Sequence, residues 1–254
     1  MSMSKVVKAT IKENSAIAED VFKMCLKLSD SDDYKVSEPG QFINVYLNEK
    51  ELMLPRPISI CDHTPELITL VYAVVGKGTK LMSEYKVGTE ARISTPLGKG
   101  FGIESANDCL LIGGGVGVPP MLYLAEKLTQ MGQTNIRAML GFRSQPFLAD
   151  EFPCAVEIST DDGSAGFHGN IVELLEKAEI SVGTKLFACG PKPMLRALAK
   201  FAESRSLQLQ VSLEERMGCG YGACVGCTCK TIQGNRKVCE DGPVFDAKEV
   251  IWDG

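Results

Sequence analysis

The chain has 254 residues, of which 44% are hydrophobic and 23% are charged. These proportions are ordinary for a globular protein, and the length suits two modest domains with a small appendage. The net charge of −5 and the lack of a long basic block exclude nucleic acid as an expected partner. The longest uncharged stretch, 109–125, is broken by glycine and proline, and the first residues lack the apolar core of a secretory signal. We therefore expect a cytoplasmic protein without membrane contact.

Short strands separated by turn residues dominate the first hundred positions. Runs rich in β-branched residues predict strands at 6–11, 17–28, 41–47, 67–75 and 90–95. One short helix is expected at 79–85, directly after Gly78. The pattern predicts an antiparallel β-barrel as the N-terminal domain, over residues 1–103.

Strands and helices alternate from about residue 108 onward. Strands are predicted at 109–112, 136–141, 155–160, 185–189 and 207–213, and helices at 119–131, 170–178 and 191–203. Such alternation indicates a parallel sheet covered on both faces. The second domain, over residues 104–213, is therefore predicted to be a doubly wound α/β nucleotide-binding domain, and the whole chain a multi-domain α/β protein.

Five of the ten cysteines fall between positions 219 and 239. Cys219, Cys224 and Cys227 have the C-x4-C-x2-C spacing of plant-type [2Fe–2S] ligands. The intervening glycines let a tight backbone wrap a cluster. Cys239 is the expected fourth ligand, returned by a turn at 233–235. We predict a small C-terminal iron–sulfur module over residues 214–254, too small to fold around a core of its own.

Other uses of these cysteines stay open. A structural zinc site usually has two paired C-x-x-C knuckles, and the second is missing here. Disulfides are less expected without a secretory signal, and reduced structural thiols are a further alternative. Cys229 is one cysteine more than a cluster needs, and its expected role is a buried side chain in a strand.

A glycine-rich turn follows the strand that ends at Ile112. A strand that enters such a turn and opens a helix is typical of a dinucleotide-phosphate cradle. The match to G-x-G-x-x-G is imperfect because Pro120 takes the third glycine position, so a plain tight turn remains possible. The ribose-binding acidic residue expected after the next strand is replaced by the run 141–143, Gly-Phe-Arg. The predicted dinucleotide contacts are Gly113, Gly114, Gly115, Gly117 and Pro119.

A second strand-to-helix turn, at Cys189, Gly190 and Pro191, is expected at the same sheet edge. Cys189 is a candidate to face a nicotinamide ring, with a buried core thiol as the alternative. The run 160–164 ends another strand at this edge and is a candidate to line the ribose. The residues alone leave NADH and NADPH open, since Arg143 suits a 2′-phosphate.

These pieces in this order resemble the ferredoxin–NADP reductase superfamily. The run Arg56-Pro57-Ile58-Ser59 is similar to the flavin-binding motif of that superfamily. The resemblance implies that Arg56 contacts the pyrophosphate of FAD and that Ser59 lies near the flavin ring. Ser59 and Cys189 would then act together at the site of hydride transfer. The next flavin-contacting segments would be Val71-Tyr72-Ala73 and Gly78-Thr79. The family usually has arginine where this chain has Ala73, so Lys77 or Lys80 is a candidate replacement.

The C-terminal runs 214–220 and 237–245 are similar to those of electron-transfer subunits of class 1B dihydroorotate dehydrogenase. This resemblance implies a relay from NADH through FAD and [2Fe–2S] to FMN in a separate catalytic subunit, in an A2B2 heterotetramer that serves pyrimidine biosynthesis. Subunits of NADH-dependent ferredoxin:NADP oxidoreductase, sulfhydrogenase and sulfite reductase share these modules and are the alternatives. A zinc-stabilised nucleotide-binding regulator is the alternative from another class.

Overall fold

The N-terminal part of the protein is a closed antiparallel barrel. The computed structural model describes residues 5–29, 34–47, 49, 52–103 and 108–252. Six strands close the barrel in the order β1-β2-β5-β4-β3-β6. Their bounds are Val6–Ala18 (β1), Val21–Leu28 (β2), Phe42–Tyr46 (β3), Arg56–His63 (β4), Leu67–Ala73 (β5) and Glu90–Ser94 (β6), and helix α1, Lys77–Glu84, lies between β5 and β6.

The barrel differs from the sequence prediction at β1, β2 and β4, and β1 runs on to Ala18 instead of ending at residue 11. The predicted run 17–28 is broken by a tight turn, because Asp20 adopts a left-handed conformation with φ of 54° and Val21 pairs back onto Ala18. Strand β4 was not predicted from the pattern. Its Pro57 faces Asn44 across the β3–β4 pair. Proline cannot donate to a strand ladder, which explains the weak strand signal there.

The second sheet has seven strands in the order β10-β9-β8-β7-β11-β12-β15, and all are parallel except β15. The pairing confirms the predicted parallel-sheet domain. Its strands are Cys109–Gly114 (β7), Ile136–Phe142 (β8), Ala155–Thr160 (β9), Phe167–His168 (β10), Lys185–Cys189 (β11), Gln208–Ser212 (β12) and Val244–Asp246 (β15). Its helices are Val118–Gln130 (α2), Ile171–Lys177 (α3) and Lys192–Ser204 (α4).

The two faces of this sheet are covered differently. Alternate residues of β7 and β11 point to opposite sides, as a strand requires. On one side Leu111 and Phe187 pack in a core with α2, and on the other Leu110 and Leu186 pack with α3 and α4. Helix α2 also packs against β4 of the barrel. One sheet face is therefore shared between a helix and the first domain, which fixes the two domains against each other.

The last segment of the chain is joined to both domains. Strands β13 (Thr228–Thr231) and β14 (Gly234–Lys237) form a hairpin, and the short helix α5 (Val238–Asp241) follows it. Strand β15 then adds to the edge of the nucleotide-domain sheet beside β12. The domain boundary at 213/214 remains a prediction, and the one at 103/104 borders residues 104–107, which lie outside the described residues. No helix among the described residues is long and apolar enough to cross a membrane.

Charged side chains meet where α2 packs on the barrel. Lys23 of β2 pairs with Glu151 at 3.1 Å, so this ion pair bridges the two domains. Glu126 of α2 lies near Asp62 and Glu151. Burial, followed by repulsion from these two carboxylates, raises the pKa of Glu126 from 4.5 to about 7. The folded chain therefore binds this proton more tightly than the unfolded chain does.

Replacement of Glu126 should change the pH dependence of stability. A raised carboxyl pKa favours folding at low pH, and this contribution is lost as the pH rises from about 4.5 through about 7. Glu126→Gln is therefore expected to raise Tm more at pH 8 than at pH 5, by a modest amount because solvent screens a half-exposed group. Thermal unfolding at both pH values measures this. The matched control is Glu157→Gln, at an exposed strand position. An equal rise in the Tm of Glu126→Gln at pH 5 and at pH 8 would contradict the prediction.

Candidate functional site

The cysteine-rich segment forms a loop that closes on itself. The backbone N–H of Cys224 donates to Sγ of Cys219 at 3.4 Å, and that of Cys239 donates to Sγ of Cys227 at 3.5 Å. The N–H of Gly222 donates to Sγ of Cys239 at 3.2 Å. These contacts bring together the four cysteines that the sequence analysis selected. They also supply N–H donors to sulfur, which stabilise thiolates and tune the potential of an iron–sulfur cluster.

Two glycines give the loop its curvature. Gly220 and Gly222 have φ of 78° and 85°, a left-handed conformation that favours glycine. A Cβ at Gly222 would collide with the carboxylate of Glu240. Glu240 accepts from Lys237 Nζ at 3.2 Å, and the same ammonium donates to the carbonyl of Gly222. The loop is therefore held against the helix that carries Cys239.

The thiols of the loop differ in acidity. Hydrogen bonds from the loop backbone near Cys219 and Gly226 lower the pKa of Cys224 to about 7, whereas burial raises that of Cys239 to about 12. Cluster ligands are thiolates, so binding of iron has to displace a proton from Cys239. Two pairs of cysteines linked by backbone N–H donors, Cys219 with Cys224 and Cys227 with Cys239, fit the ligand set of a [2Fe–2S] cluster.

Among the described residues, no three His, Cys, Asp or Glu side chains converge closely enough to hold a single metal ion. A [2Fe–2S] cluster spreads its four protein ligands over two irons, so it needs a wider set of sulfurs. Cys229 lies apart from the loop in β13, where it is buried in the core shared with the nucleotide domain. Burial raises the pKa of its thiol. This placement matches its expected role as a buried side chain.

The side chain of Arg56 lies against the start of α1. Arg56 Nη1 donates to the carbonyl of Leu54 at 2.7 Å, which orders the guanidinium. The rest of that group lies against Gly78 in the first turn of α1, where a Cβ would overlap it. Thr79 Oγ1 accepts from the N–H of Val75 at 2.9 Å and so caps the helix. A guanidinium beside a helix N-terminus is suited to a pyrophosphate, and these residues fit that part of FAD.

A methyl group at Gly78 should displace the guanidinium. Gly78→Ala is expected to lower bound flavin about tenfold, the loss of roughly one charge-assisted hydrogen bond. Absorbance at 450 nm per polypeptide after gel filtration measures it. Gly76→Ala is the matched control, because it lies two residues away, has extended backbone and has open space around the new Cβ. Equal flavin loss in both variants would count against a pyrophosphate site at Arg56 and Gly78.

The other predicted flavin contacts divide between the two faces of the barrel wall. Ile58 and Tyr72 point to the barrel interior, and the Tyr72 hydroxyl donates to Asn14 Oδ1 at 3.0 Å. Pro57, Ser59, Val71 and Ala73 alternate with them on the outer side of the barrel wall. Val71 is buried there in the core shared with α2, and the other three are partly exposed. Of the two lysines that could replace the arginine missing at position 73, Lys80 pairs with Glu84 at 3.6 Å, and Lys77 lies exposed at the start of α1.

The two nucleotide motifs lie side by side. Strands β7 and β11 pair so that Gly113 is opposite Cys189. A Cβ at Gly117 would overlap the backbone of Cys189, and one at Gly114 would collide with Met194 of α4. The glycines are therefore needed for the close approach of the two turns. Gly115 begins a single 3-10 turn, and Pro119 lies in the first turn of α2.

Cys189 ends β11 at this edge. Burial raises the pKa of its thiol to about 12, and a hydrogen bond with Ser212 opposes part of that rise. The thiol is therefore neutral at physiological pH and is suited to contact with a neutral ring rather than to acid–base work. Ser59 lies on β4 of the barrel, and Cys189 lies at the end of β11 in the second domain.

An acidic turn borders the same edge. The backbone N–H groups of Asp161 and Asp162 donate to the carbonyls of Phe142 and Arg143, at 3.1 and 3.2 Å. Hydrogen bonds with Ser164 lower the pKa of Asp162. Ser159, just before this turn, is fully buried, and its hydroxyl has no hydrogen-bond partner among the described residues. The backbone of this acidic turn is thus hydrogen-bonded to residues 142 and 143 at the end of β8.

One residue at the cluster loop, Asn44, was not predicted from the sequence. Asn44 of β3 is fully buried, and its Nδ2 donates to the carbonyl of Cys219 at 2.9 Å. The available signal was a polar side chain within the apolar run 42–45, on the opposite side of the strand from Ile43 and Val45. Its partner lies 175 residues away along the chain. Only the fold reveals that contact.

A flavin-reductase barrel, a parallel-sheet nucleotide domain and a cysteine loop in one chain define a modular reductase of the ferredoxin–NADP reductase type with an iron–sulfur extension. Residues 214–251 match the iron–sulfur cluster binding domain of dihydroorotate dehydrogenase B. The chain is 41% identical over 258 residues to the dihydroorotate dehydrogenase B (NAD(+)) electron transfer subunit of Shouchella clausii, covering 95% of this chain and 96% of the relative. It therefore belongs to the family of dihydroorotate dehydrogenase B electron transfer subunits.

Two further similarities agree with this assignment. The corresponding subunit of Caldanaerobacter subterraneus is 37% identical over 254 residues, covering 97% of this chain and 98% of that one. A solved structure of an NADH-dependent reduced ferredoxin-NADP oxidoreductase is 31% identical with a TM-score of 0.84, covering 96% of this chain and 90% of that chain. Proteins of that kind are one of the alternatives that the sequence left open. The relatives from Shouchella clausii and Caldanaerobacter subterraneus favour a dihydroorotate dehydrogenase subunit over that alternative.

Proposed function

We propose that this chain relays electrons between NADH and the catalytic subunit of a dihydroorotate dehydrogenase, through FAD and a [2Fe–2S] cluster. The observation that carries the proposal is the closed loop of Cys219, Cys224, Cys227 and Cys239 attached to a reductase barrel. When bound, the flavin would accept a hydride as an electron pair and the cluster would pass single electrons. The orotate chemistry belongs to the partner subunit.

Residues of this chain have separate tasks in the relay. Arg56, Gly78 and Thr79 would hold the pyrophosphate of the flavin. Gly113 and Gly117 would let the dinucleotide approach the backbone, and the neutral thiol of Cys189 would face its ring. Ser59, on the outer barrel face, would lie near the flavin ring. The four cysteines of the loop are the cluster ligands.

NADH rather than NADPH is the proposed donor. Asp161 and Asp162 border the strand end where a 2′-phosphate would lie, and both are exposed carboxyl groups. Two negative charges there oppose a phosphate and suit a ribose hydroxyl. Activity with NADPH equal to that with NADH would contradict this assignment.

The proposed partner is a catalytic subunit that carries FMN, in an A2B2 heterotetramer, within the cytoplasm. The resemblance to dihydroorotate dehydrogenase subunits supports this assembly. The cysteines support a cytoplasmic location, since none of the ten forms a disulfide, as expected in a reducing environment. The partner would supply the orotate site.

Reconstitution tests the proposed function. The purified chain should contain FAD, iron and acid-labile sulfide, and should reduce an artificial acceptor with NADH. Mixed with the FMN catalytic subunit from the same organism, it should make orotate reduction depend on NADH. A protein with zinc and no sulfide would contradict the cluster. Reduction of ferredoxin and NADP without any effect on the FMN subunit would instead support the ferredoxin:NADP alternative.

The rim of the cluster loop should meet the partner. Val225 is 76% exposed between two proposed ligands, and Tyr221 is 53% exposed. Val225→Glu is expected to lower NADH-dependent orotate reduction about tenfold through weaker assembly, because a charge in the centre of an interface is costly. Activity with the artificial acceptor should persist. Val182→Glu, at a fully exposed valine of the nucleotide domain, is the control. Equal loss in both variants would contradict this docking site.

A further inference from the structure

Asn44 connects the barrel to the cysteine loop. Its side chain is fully buried, and its Nδ2 donates to the carbonyl of Cys219 at 2.9 Å. The backbone N–H of Asn44 donates to Ser94 Oγ at 2.9 Å, which fixes the residue within the barrel. A buried amide is costly unless its polar atoms have partners. Here the main partner is the loop that carries the proposed ligands.

The same residue borders the proposed flavin strand. Asn44 of β3 pairs directly with Pro57 of β4, and Phe42 pairs with Ser59. Side chains of paired residues lie on the same face of a sheet. Asn44, Pro57 and Ser59 therefore share the outer face of the barrel. The side chain of Asn44 thus lies between the predicted flavin-binding run 56–59 and Cys219, a proposed cluster ligand.

The loop is shaped to accept this contact. A Cβ at Gly220 would lie 2.6 Å from Asn44 Nδ2, and Gly220 has φ of 78°. Only glycine allows the loop to come so close in this conformation. Asn44 Oδ1 is buried and has no partner among the described residues, so the amide keeps one unused acceptor beside the loop.

The rest of the cysteine module has a different anchor on the barrel. The backbone N–H of Lys99 donates to the carbonyl of Gly242 at 2.6 Å, three residues after Cys239. Cys219 and Cys239 are thus tied to the barrel at separate points. Of these two hydrogen bonds, the one at Cys219 is made by a side chain, so substitution can remove it.

We propose that Asn44 is a positioning residue that sets the spacing and orientation of the cluster relative to the flavin strand. This inference rests on the proposed function. Outer-shell hydrogen bonds hold the ligands of a metal centre in place and tune its potential. Removal of the amide donor should leave the hydride site intact, because the side-chain hydrogen bond of Asn44 goes to Cys219 and not to the flavin or nucleotide motifs. It should slow the single-electron step from flavin to cluster.

Asn44→Asp is the primary test in the full-length holoprotein. The carboxylate has the same shape but places an acceptor against the carbonyl of Cys219. We expect unchanged FAD content and unchanged flavin reduction by NADH in a stopped-flow experiment, and about 10- to 100-fold slower cluster reduction. The electron paramagnetic resonance spectrum of the reduced cluster should shift, and its midpoint potential should fall. Asn44→Ala removes the donor without adding charge and should reproduce the slower step if Asn44→Asp does not fold.

The matched control is Gln210→Ala. Gln210 is also an amide that bridges two parts of the protein, because its Oε1 accepts from the N–H of Gly102 at 2.8 Å and its Nε2 donates to the carbonyl of Gly102 at 3.1 Å. Among the described residues, neither of these side-chain hydrogen bonds involves a cysteine. It should leave the spectrum and the rate of cluster reduction unchanged. Wild-type spectra and rates in both Asn44 variants would overturn the inference. Absence of iron and sulfide from the wild-type protein would instead overturn the proposed function.

Discussion

Cys224→Ser is expected to stop electron delivery to the catalytic subunit while leaving flavin reduction by NADH intact. Serine lacks the thiolate that the cluster needs, and backbone hydrogen bonds already lower the pKa of the Cys224 thiol to about 7. NADH-dependent orotate reduction in the assembled complex should fall by at least about 100-fold. Reduction of a two-electron artificial acceptor should stay near the wild-type rate.

The control for this experiment lies in the same module. Cys229→Ser changes a buried cysteine two residues from Cys227, in β13, outside the proposed ligand set. It should retain iron, sulfide and orotate reduction, with at most a small loss of stability from a hydroxyl in the core. Survival of orotate reduction in Cys224→Ser would contradict the order of the relay. Loss of iron in Cys229→Ser alone would mean that the ligand set is different.

Arg56→Ala is expected to release FAD. The guanidinium is ordered by the carbonyl of Leu54 and lies against the first turn of α1. Loss of a charge-assisted contact to phosphate costs about 1.5–3 kcal/mol, or about 10- to 100-fold in affinity. Flavin titration by fluorescence quenching measures the change. Arg56→Lys keeps the charge without the planar fork and should give an intermediate affinity.

A second arginine of the barrel serves as the control for charge. Arg92 of β6 is exposed and lies over the ring of Tyr46, with its Cζ 5.9 Å from the ring centroid. Arg92→Ala removes the same net charge and should bind FAD as the wild type does. Unchanged flavin content in Arg56→Ala would refute its role at the phosphate. Equal weakening by Arg92→Ala would assign the effect to long-range charge instead.

Local sequence patterns were sufficient to predict the barrel, the parallel-sheet domain and the cysteine loop, and the order in which they follow one another. Apolar runs between turn residues predicted a barrel and then a parallel sheet, because strand and helix periods depend on neighbouring residues. The spacing of Cys219, Cys224 and Cys227 predicted a cluster loop, because a tight loop allows few spacings. The glycines of 113–117 predicted a close backbone approach, and the fold brings that turn against Cys189. Each of these signals is carried by residues close together in the sequence, within a single strand, helix or loop.

Only the tertiary structure decided which distant residues meet. Pairing of β3 with β4 and closure of the barrel bring Asn44 to Cys219, and no local pattern encodes a contact over 175 residues. Strand β15 joins the nucleotide sheet because that sheet has an open edge beside β12. The inward direction of Tyr72 follows from its register with β2. Long-range contacts depend on how whole elements pack, so the sequence identified the redox parts and the fold set their spacing.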